Sequence, residues 1–235
     1  MPFISVITIN RNNAAGLQKT MLSVCAQDFK DLEYIVVDGA SDDGSLQVVE
    51  ANKGCVSHFI SEKDKGIYDA MNKGIAKASG EYLLFLNSGD RFAESNVLTK
   101  MKAWSRGEDI VSGNILFEEN GSNRRDFTPE KLSKLYLLHS MLYHPVTFIR
   151  KSLFDNFGLY DDNLRIVADY EFFLRVLSKS KISYRHLTCD VVIFDNSGVS
   201  AAAATRNQML TERKAVQRKY FNSILLWAYY FLKSK

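Results

Sequence analysis

The chain has 235 residues, 46% hydrophobic and 24% charged, and a formal net charge of +3. This is the balance of a soluble globular protein with one large domain or two small ones, and the charge excess is too small to make nucleic acid the main partner. Its three cysteines, Cys25, Cys55 and Cys189, are odd in number, far apart and form no C-x-x-C pair, which reads as reduced thiols in a cytosolic protein and not as a disulfide frame or zinc site.

The N-terminus opens directly on a strand-like run, "FISVITIN", with no basic segment ahead of an apolar one, so no signal peptide is expected. No stretch approaches ~18 apolar residues, so no helical membrane span is expected. Phe3–Asn10 reads as a buried strand. Leu17, Met21 and Val24 recur at helical spacing. Leu32–Asp38 is a second strand, and "ASDDGS" offers helix N-cap residues before a short helix in "LQVVEANK". Val56–Ser61 is a weaker third strand. Ile67, Met71, Gly74 and Ile75 mark the inner face of a third helix. Glu81–Leu86 is the fourth strand. Strand and helix in alternation, with short connections, predict right-handed βαβ units on a parallel sheet covered on both faces.

The second half is mixed. Glu94–Arg106 reads as helix. Asp109–Phe117 and Arg124–Phe127 flank Asn120-Gly121, a hairpin signal. Thr128-Pro129-Glu130 has the pattern of a helix start, an N-cap followed by proline. Val146–Ile149 is a short strand, Ala168–Ser178 an amphipathic helix, and Tyr184–Asp195 is strand-like. From Ala201 onward the pattern is helical, with a break near Asn222.

Polar groups cluster where the first four strands end: Thr8, Asn10 and Asn12; Asp38, Asp42 and Asp43; Glu62 and Asp64; and Asn87-Ser88-Gly89-Asp90. In a parallel sheet these ends share one edge, the place where open α/β sheets hold ligands. Turn formers end any strand, but four polar ends on one edge favour a ligand crevice. Ionised carboxylates accept hydrogen bonds from a base or a ribose, a role that suits Asp38 and one of Asp42 and Asp43. They also hold hard cations such as Mg²⁺ or Mn²⁺, which suits Asp90. The chain has no G-x-G-x-x-G after its first strand and no G-x-x-x-x-G-K-[ST], against dehydrogenases and P-loop enzymes.

"SVITINRNN", "IVVDGASDDGS", "SEKDKGIYDAMNKGIAKASGEYLLFLNSGD" and "RIVADYEFFLR" together resemble family-two glycosyltransferases of the GT-A fold, and more narrowly the bacterial polysaccharide enzymes of the colanic-acid type. The resemblance covers roughly residues 3–200. It implies an α/β fold, a mostly parallel central sheet flanked by helices, as a GT-A domain over residues 1–205 with a C-terminal helical extension over 206–235. It implies transfer of a sugar from a nucleoside diphosphate sugar to an acceptor hydroxyl by one inverting displacement, in polysaccharide or glycolipid assembly.

The resemblance also assigns roles. Thr8, Asn10, Asn12, Asp38 and Asp42 would embrace the nucleotide, and Glu62, Asp64, Lys65, Gly66 and Asn72 would floor the donor site. Asn87, Ser88 and Asp90 stand where the family carries its Asp-x-Asp metal motif, with Asp90 the one remaining acid and the cation Mg²⁺ or Mn²⁺. Asp169 occupies the position of the general base, which the acceptor hydroxyl needs as it attacks; the bland reading is a helix cap. His144 would lie near donor or acceptor, with a structural histidine equally open, and Ser200 would contact a phosphate or cap the next helix. Two rival functions remain: a nucleotidyltransferase, which normally brings a basic glycine-rich loop, and an inactive sugar-nucleotide-binding protein.

Ser223–Leu232, "SILLWAYYFL", is apolar or aromatic almost throughout and flanked by Arg213, Lys214, Arg218, Lys219, Lys233 and Lys235. That is the composition of a helix lying on anionic headgroups, and the acceptor class implied is a glycan or lipid-linked saccharide, placing the work at the cytoplasmic face of the inner membrane. Packing of the segment on the catalytic domain, or on a second copy in a homo-oligomer, is the alternative.

Overall fold

The computed structural model describes residues 1–119, 122–195 and 205–233. In chain order the elements are β1 (Ile4–Asn10), α1 (Ala14–Cys25), β2 (Leu32–Asp38), α2 (Ser45–Ala51), β3 (His58–Ser61), α3 (Ile67–Lys77), β4 (Tyr82–Phe85), β5 (Arg91–Phe92), α4 (Val97–Trp104), β6 (Ile110–Glu119), β7 (Ser122–Asp126), α5 (Lys134–His139), β8 (Thr147–Arg150), α6 (Lys151–Phe157), α7 (Ala168–Lys179), β9 (Tyr184–Phe194), α8 (Arg206–Tyr220) and α9 (Ser223–Lys233).

The strands form one sheet in the order β3-β2-β1-β4-β8-β6-β9-β5, with β7 paired to β6. β1 to β4 are mutually parallel, with Asn10 opposite Asp38 and Asp38 opposite Ser61. β8 enters antiparallel between β4 and β6, and β9 runs parallel to β6. Alternate side chains of each central strand feed opposite cores. Ile7, Ile35, Val37, Leu83 and Phe85 pack with α3, α6 and α7. Ile4, Val6, Tyr34, Val36, Tyr82 and Leu84 pack with α1 and α4. Both faces are covered, so these strands are apolar throughout, and each large side chain so buried contributes roughly 1.5–3 kcal/mol. Gly74 lets α3 approach β1 closely, because a Cβ there would strike Ile7.

Two expectations are corrected. The helix after the hairpin begins at Ser133, whose hydroxyl caps Tyr136 N, and not at Thr128. Thr128 instead turns inward: its hydroxyl donates to Gly113 O, and Tyr184 Oη donates to Pro129 O. Those bonds hold the segment extended against the sheet. The second correction concerns the thiols. Cys25, at the end of α1, and Cys55, in the 3₁₀ turn Lys53–Cys55, are joined in a disulfide with Cα atoms 5.7 Å apart. α1 and α2 pack side by side, which brings their C-terminal ends together across 30 residues of sequence. Cys189 is free.

The C-terminal helices dock on the domain. Val216 and Gln217 of α8 are buried, and Gln217 Nε2 donates to Leu138 O and to Tyr170 Oη. α9 buries Leu226 and sets Tyr229 against His139, yet leaves Ile224 74%, Trp227 67% and Leu232 72% exposed. Among the described residues no helix is long and apolar enough to cross a membrane.

Candidate active site

A cleft of about 660 Å³ opens at the carboxyl edge of the sheet, beyond β1 and β4. It lies where β1 has β2 on one side and β4 on the other, the reversal of strand order at which such sheets bind ligands. Its lining includes Asn10, Asn12, Asp64, Lys65, Gly66, Asn87, Ser88, Asp90 and His144, nine of the residues expected from the sequence. The Asn87–Asp90 turn is anchored from α1. Thr20 Oγ1 donates to Asp90 O at 2.6 Å and accepts from Gly89 N at 3.0 Å, and Asn13, the α1 N-cap, reaches Ser88 O. The abrupt end of β4 is therefore a turn built into the fold with its side chains on the cleft.

Other expected residues sit behind this surface. Thr8 is fully buried, donating to Leu86 O and accepting from Tyr34 Oη. Asp38 is also fully buried; Asn10 Nδ2, Ser41 N, Ser41 Oγ and Ser61 Oγ all donate to it within 2.6–2.9 Å. Burial pushes its pKa up, but the bonds from Ser41, Asn10 and Ser61 prevail and hold it below the ordinary carboxylate value. Neither residue lines the cleft. Nor do Asp42, whose N–H donates to Asn12 Oδ1, Glu62, paired at 2.9 Å with Lys73, or Asn72, which clamps both backbone polar groups of Tyr160. Ser200 falls outside the described residues. Asn10 is the link between the buried network and the cleft. Its Nδ2 donates to Asp38, Ser41 and Ser45, while its buried Oδ1 has no partner among the described residues.

Asp90 contrasts with Asp38. It is 3% exposed, and among the described residues its carboxylate accepts one hydrogen bond, from Asp195 N at 2.9 Å. Burial pushes its pKa up to about 7, with the Asp195 charge adding to the rise and His144 opposing it. Asp195 lies over Gly89, where an added Cβ would come within 2.5 Å of its Oδ2. Gly89 also has φ +108°, a left-handed conformation that favours glycine. Where the family motif carries a second acid, this chain carries a glycine and brings in the carboxylate of Asp195, the residue after β9. Among the described residues there is no cluster of three or more His, Cys, Asp or Glu side chains able to hold a metal ion by themselves. Two facing carboxylates, one of them desolvated, do suit a cation that brings further oxygen ligands with it.

Asp169, in the first turn of α7, is 2% exposed. Its Oδ1 accepts from Tyr170 N at 2.8 Å and Tyr68 Oη at 2.9 Å, and its Oδ2 faces His144 Nδ1 at 3.0 Å. Burial and the Asp169 charge push the Tyr68 hydroxyl far up, so it stays a donor. His144 continues to Asn87, with Nε2 3.2 Å from Asn87 Nδ2. His144 lines the cleft and Asp169 does not. Glu171, two residues on, turns away toward Arg175, Lys219 and Tyr220.

Sequence reading did not single out Arg11, Asp162, Arg165, Asp195 and Gln208, which also line the cleft. Arg11 stood within "INRNN" and Asp195 at the end of a predicted strand, the same strand-end signal used elsewhere. Arg165 stood at the head of "RIVADYEFFLR", and nothing local marked Gln208.

The sequence matches Glycosyl transferase family 2 over residues 5–167. An uncharacterized glycosyltransferase of Mycobacterium tuberculosis is 37% identical over 206 residues, covering 85% of this chain and 78% of the relative. A PGL/p-HBAD biosynthesis glycosyltransferase of Mycobacterium bovis is 30% identical over 203 residues, 84% and 78% of the two chains. A GalNAc(5)-diNAcBac-PP-undecaprenol beta-1,3-glucosyltransferase of Campylobacter jejuni is 34% identical over 138 residues, 57% of this chain and 45% of that one. Similar folds include S. aureus TarS 1-349 in complex with UDP-GlcNAc, at TM-score 0.72 and 19% identity over 86% of this chain and 61% of that one. The mannosyltransferase PcManGT of Pyrobaculum calidifontis, in complex with GDP-Man and Mn²⁺, has TM-score 0.69 and 17% identity over 94% and 65%. The chain thus spans less than two thirds of the length of these solved structures. Its GT-A fold, its strand-edge cleft and its match over residues 5–167 together establish that the chain belongs to glycosyl transferase family 2.

Proposed function

We propose that the cleft between β1 and β4 moves a sugar from a nucleoside diphosphate sugar to an acceptor hydroxyl, in one displacement that inverts the anomeric carbon. The observation that carries this is the pairing across one cleft of the desolvated Asp90, on the leaving-group side, with the His144–Asp169 pair, a proton acceptor. Asn10 Oδ1, a buried acceptor without a partner among the described residues, suits a donor group of the nucleotide. Arg11, Lys65 and Arg165 bring positive charge to the phosphates.

Asp90, with Asp195 beside it, would hold Mg²⁺ or Mn²⁺. The cation would neutralise charge on the diphosphate. The raised pKa of Asp90 supports this, since a cation relieves the cost of burying that carboxylate. The complexes of TarS with UDP-GlcNAc and of PcManGT with GDP-Man and Mn²⁺ make UDP and GDP the nucleotides to try first. The test is calorimetric titration with UDP and GDP, with and without Mn²⁺. Binding of one nucleotide, strengthened by Mn²⁺ and weakened by EDTA and by Asp90→Ala, is expected. No binding of either would overturn the reading.

The acceptor class that fits is a lipid-linked saccharide on the cytoplasmic face of a membrane. The C. jejuni relative's name specifies an undecaprenol-linked acceptor, and α9 exposes Ile224, Trp227 and Leu232 beside Lys233 and the exposed Lys219. Flotation with liposomes containing anionic lipid is expected for the full chain and not for Trp227→Glu. Absence of flotation of the full chain, with dimers in solution that Trp227→Glu dissociates, would make the α9 face a contact between protein copies instead.

A further inference from the structure

We propose that His144, and not Asp169, takes the proton from the attacking hydroxyl, with Asp169 as the residue that positions and balances it. This rests on the glycosyl-transfer reading above and departs from the role that the family resemblance assigns to Asp169.

The geometry places the imidazole between the carboxylate and the cleft. Asp169 is 2% exposed, both its oxygens are engaged, and it is not part of the cleft lining. To meet a substrate hydroxyl it would have to displace the His144 ring. His144 borders the cleft already. The proton positions follow from the partners. Tyr170 N donates to Asp169 Oδ1, and Tyr68 Oη shares its one proton between that oxygen and Ile166 O; with the carboxylate ionised, the 3.0 Å contact of Oδ2 to the ring puts the ring proton on Nδ1. Asn87 Nδ2, a donor, then faces an unprotonated Nε2. His144 lines the cleft, and an amide hydrogen bond of 3.2 Å holds that lone pair until a hydroxyl replaces it. Asn87 belongs to the turn at the end of β4, so the base and the leaving-group side meet through one side chain.

In the reaction, the acceptor oxygen forms its bond to the anomeric carbon as the bond from that carbon to the diphosphate oxygen breaks. The bonding pair leaves with the diphosphate. The acceptor proton passes to Nε2, and Asp169 stays ionised against the imidazolium, the arrangement by which a buried carboxylate supports a histidine base in other acyl- and group-transfer sites.

The test uses the full chain labelled with ¹⁵N-histidine, the His144 signals being assigned by their loss in His144→Gln. At pH 8 the proposal requires Nδ1–H with a bare Nε2, and a move of the proton to Nε2 in Asp169→Asn. Turnover is read as glucose release from UDP-glucose with water as acceptor. His144→Gln should slow it by roughly 10²–10⁴-fold, the range for a lost general base, with UDP affinity unchanged within about twofold. The double variant should be no slower than the slower single one, since the two residues act as one unit. An Nε2–H tautomer, as the Asn87 amide would favour if it presented Oδ1 to the ring, would overturn the proposal. So would full turnover in His144→Gln alongside loss in Asp169→Asn. Failure of the wild type to bind UDP or GDP would sink the glycosyl-transfer reading instead, and the tautomer would then decide the pairing alone.

Discussion

β2 and β4 end on either side of β1, and each delivers an aspartate that is almost wholly buried. Asp38 receives four donated hydrogen bonds and keeps a depressed pKa. The Asp90 carboxylate receives one from the described residues, and burial pushes it up to about 7. Both stand where a strand ends at the same edge of the sheet, but Asp90 is the more strongly desolvated and has fewer donors, and the two differences together reverse the electrostatics. The first is a knot that ties the loop after β2 to β1 and β3; the second is a desolvated carboxylate on the cleft, with one donor among the described residues. A desolvated carboxylate that lines a cleft marks a place where a ligand is expected.

This contrast can be broken at either end. The largest effect is expected from Asp38→Ala, which strands the donors of Asn10, Ser41 and Ser61 in the interior. Buried donors left without their acceptor cost roughly 1–3 kcal/mol each where no other partner replaces it, and urea unfolding should show a loss of that order or more. A change below about 0.5 kcal/mol would mean that the network carries no structural weight and would return Asp38 to the list of ligand contacts.

Asp90→Asn should act in the opposite direction on the ligand-free protein. The folded pKa, about 7, lies above the ordinary value of 3.8, so the folded state holds the extra proton between those values. Stability therefore falls as pH rises from about 4 to 7 and is level beyond. Asn removes that cost, so the variant should exceed the wild type by roughly 2–4 kcal/mol at pH 8, at about 1.4 kcal/mol per pKa unit with allowance for relaxation, and the gain should shrink toward nothing by pH 4. Thermal unfolding across this range measures it. A pH-independent difference would point to packing.

Gly89→Ala sharpens the contrast on a smaller scale. It forces a side chain into a left-handed backbone and against Asp195 Oδ2, at a cost of about 1 kcal/mol. Mn²⁺-dependent nucleotide binding should weaken with it as Asp195 is displaced. Unchanged Mn²⁺ dependence would remove Asp195 from the cation's surroundings.

The β-branched and apolar runs of β1, β2 and β4, and the helical spacing of Leu17, Met21 and Val24, determined the parallel half of the sheet and the edge on which a ligand would sit. These signals are local: burial on both faces imposes apolar runs on strands, and 3.6-residue periodicity imposes stripes on helices. The tertiary structure alone decided which strand-end groups were consumed internally. Asp38 and Ser61 are 23 residues apart, Asp90 and Asp195 105, and His144 and Asp169 25, and no local pattern encodes such pairs. It also decided the Cys25–Cys55 disulfide, which depends on two helices packing side by side, and the inward turn of Thr128, whose cap-like sequence was overridden by a hydrogen bond to Gly113 on β6. Periodicity records the solvent that each residue meets, whereas hydrogen bonds record a particular partner, and only the folded chain supplies that partner.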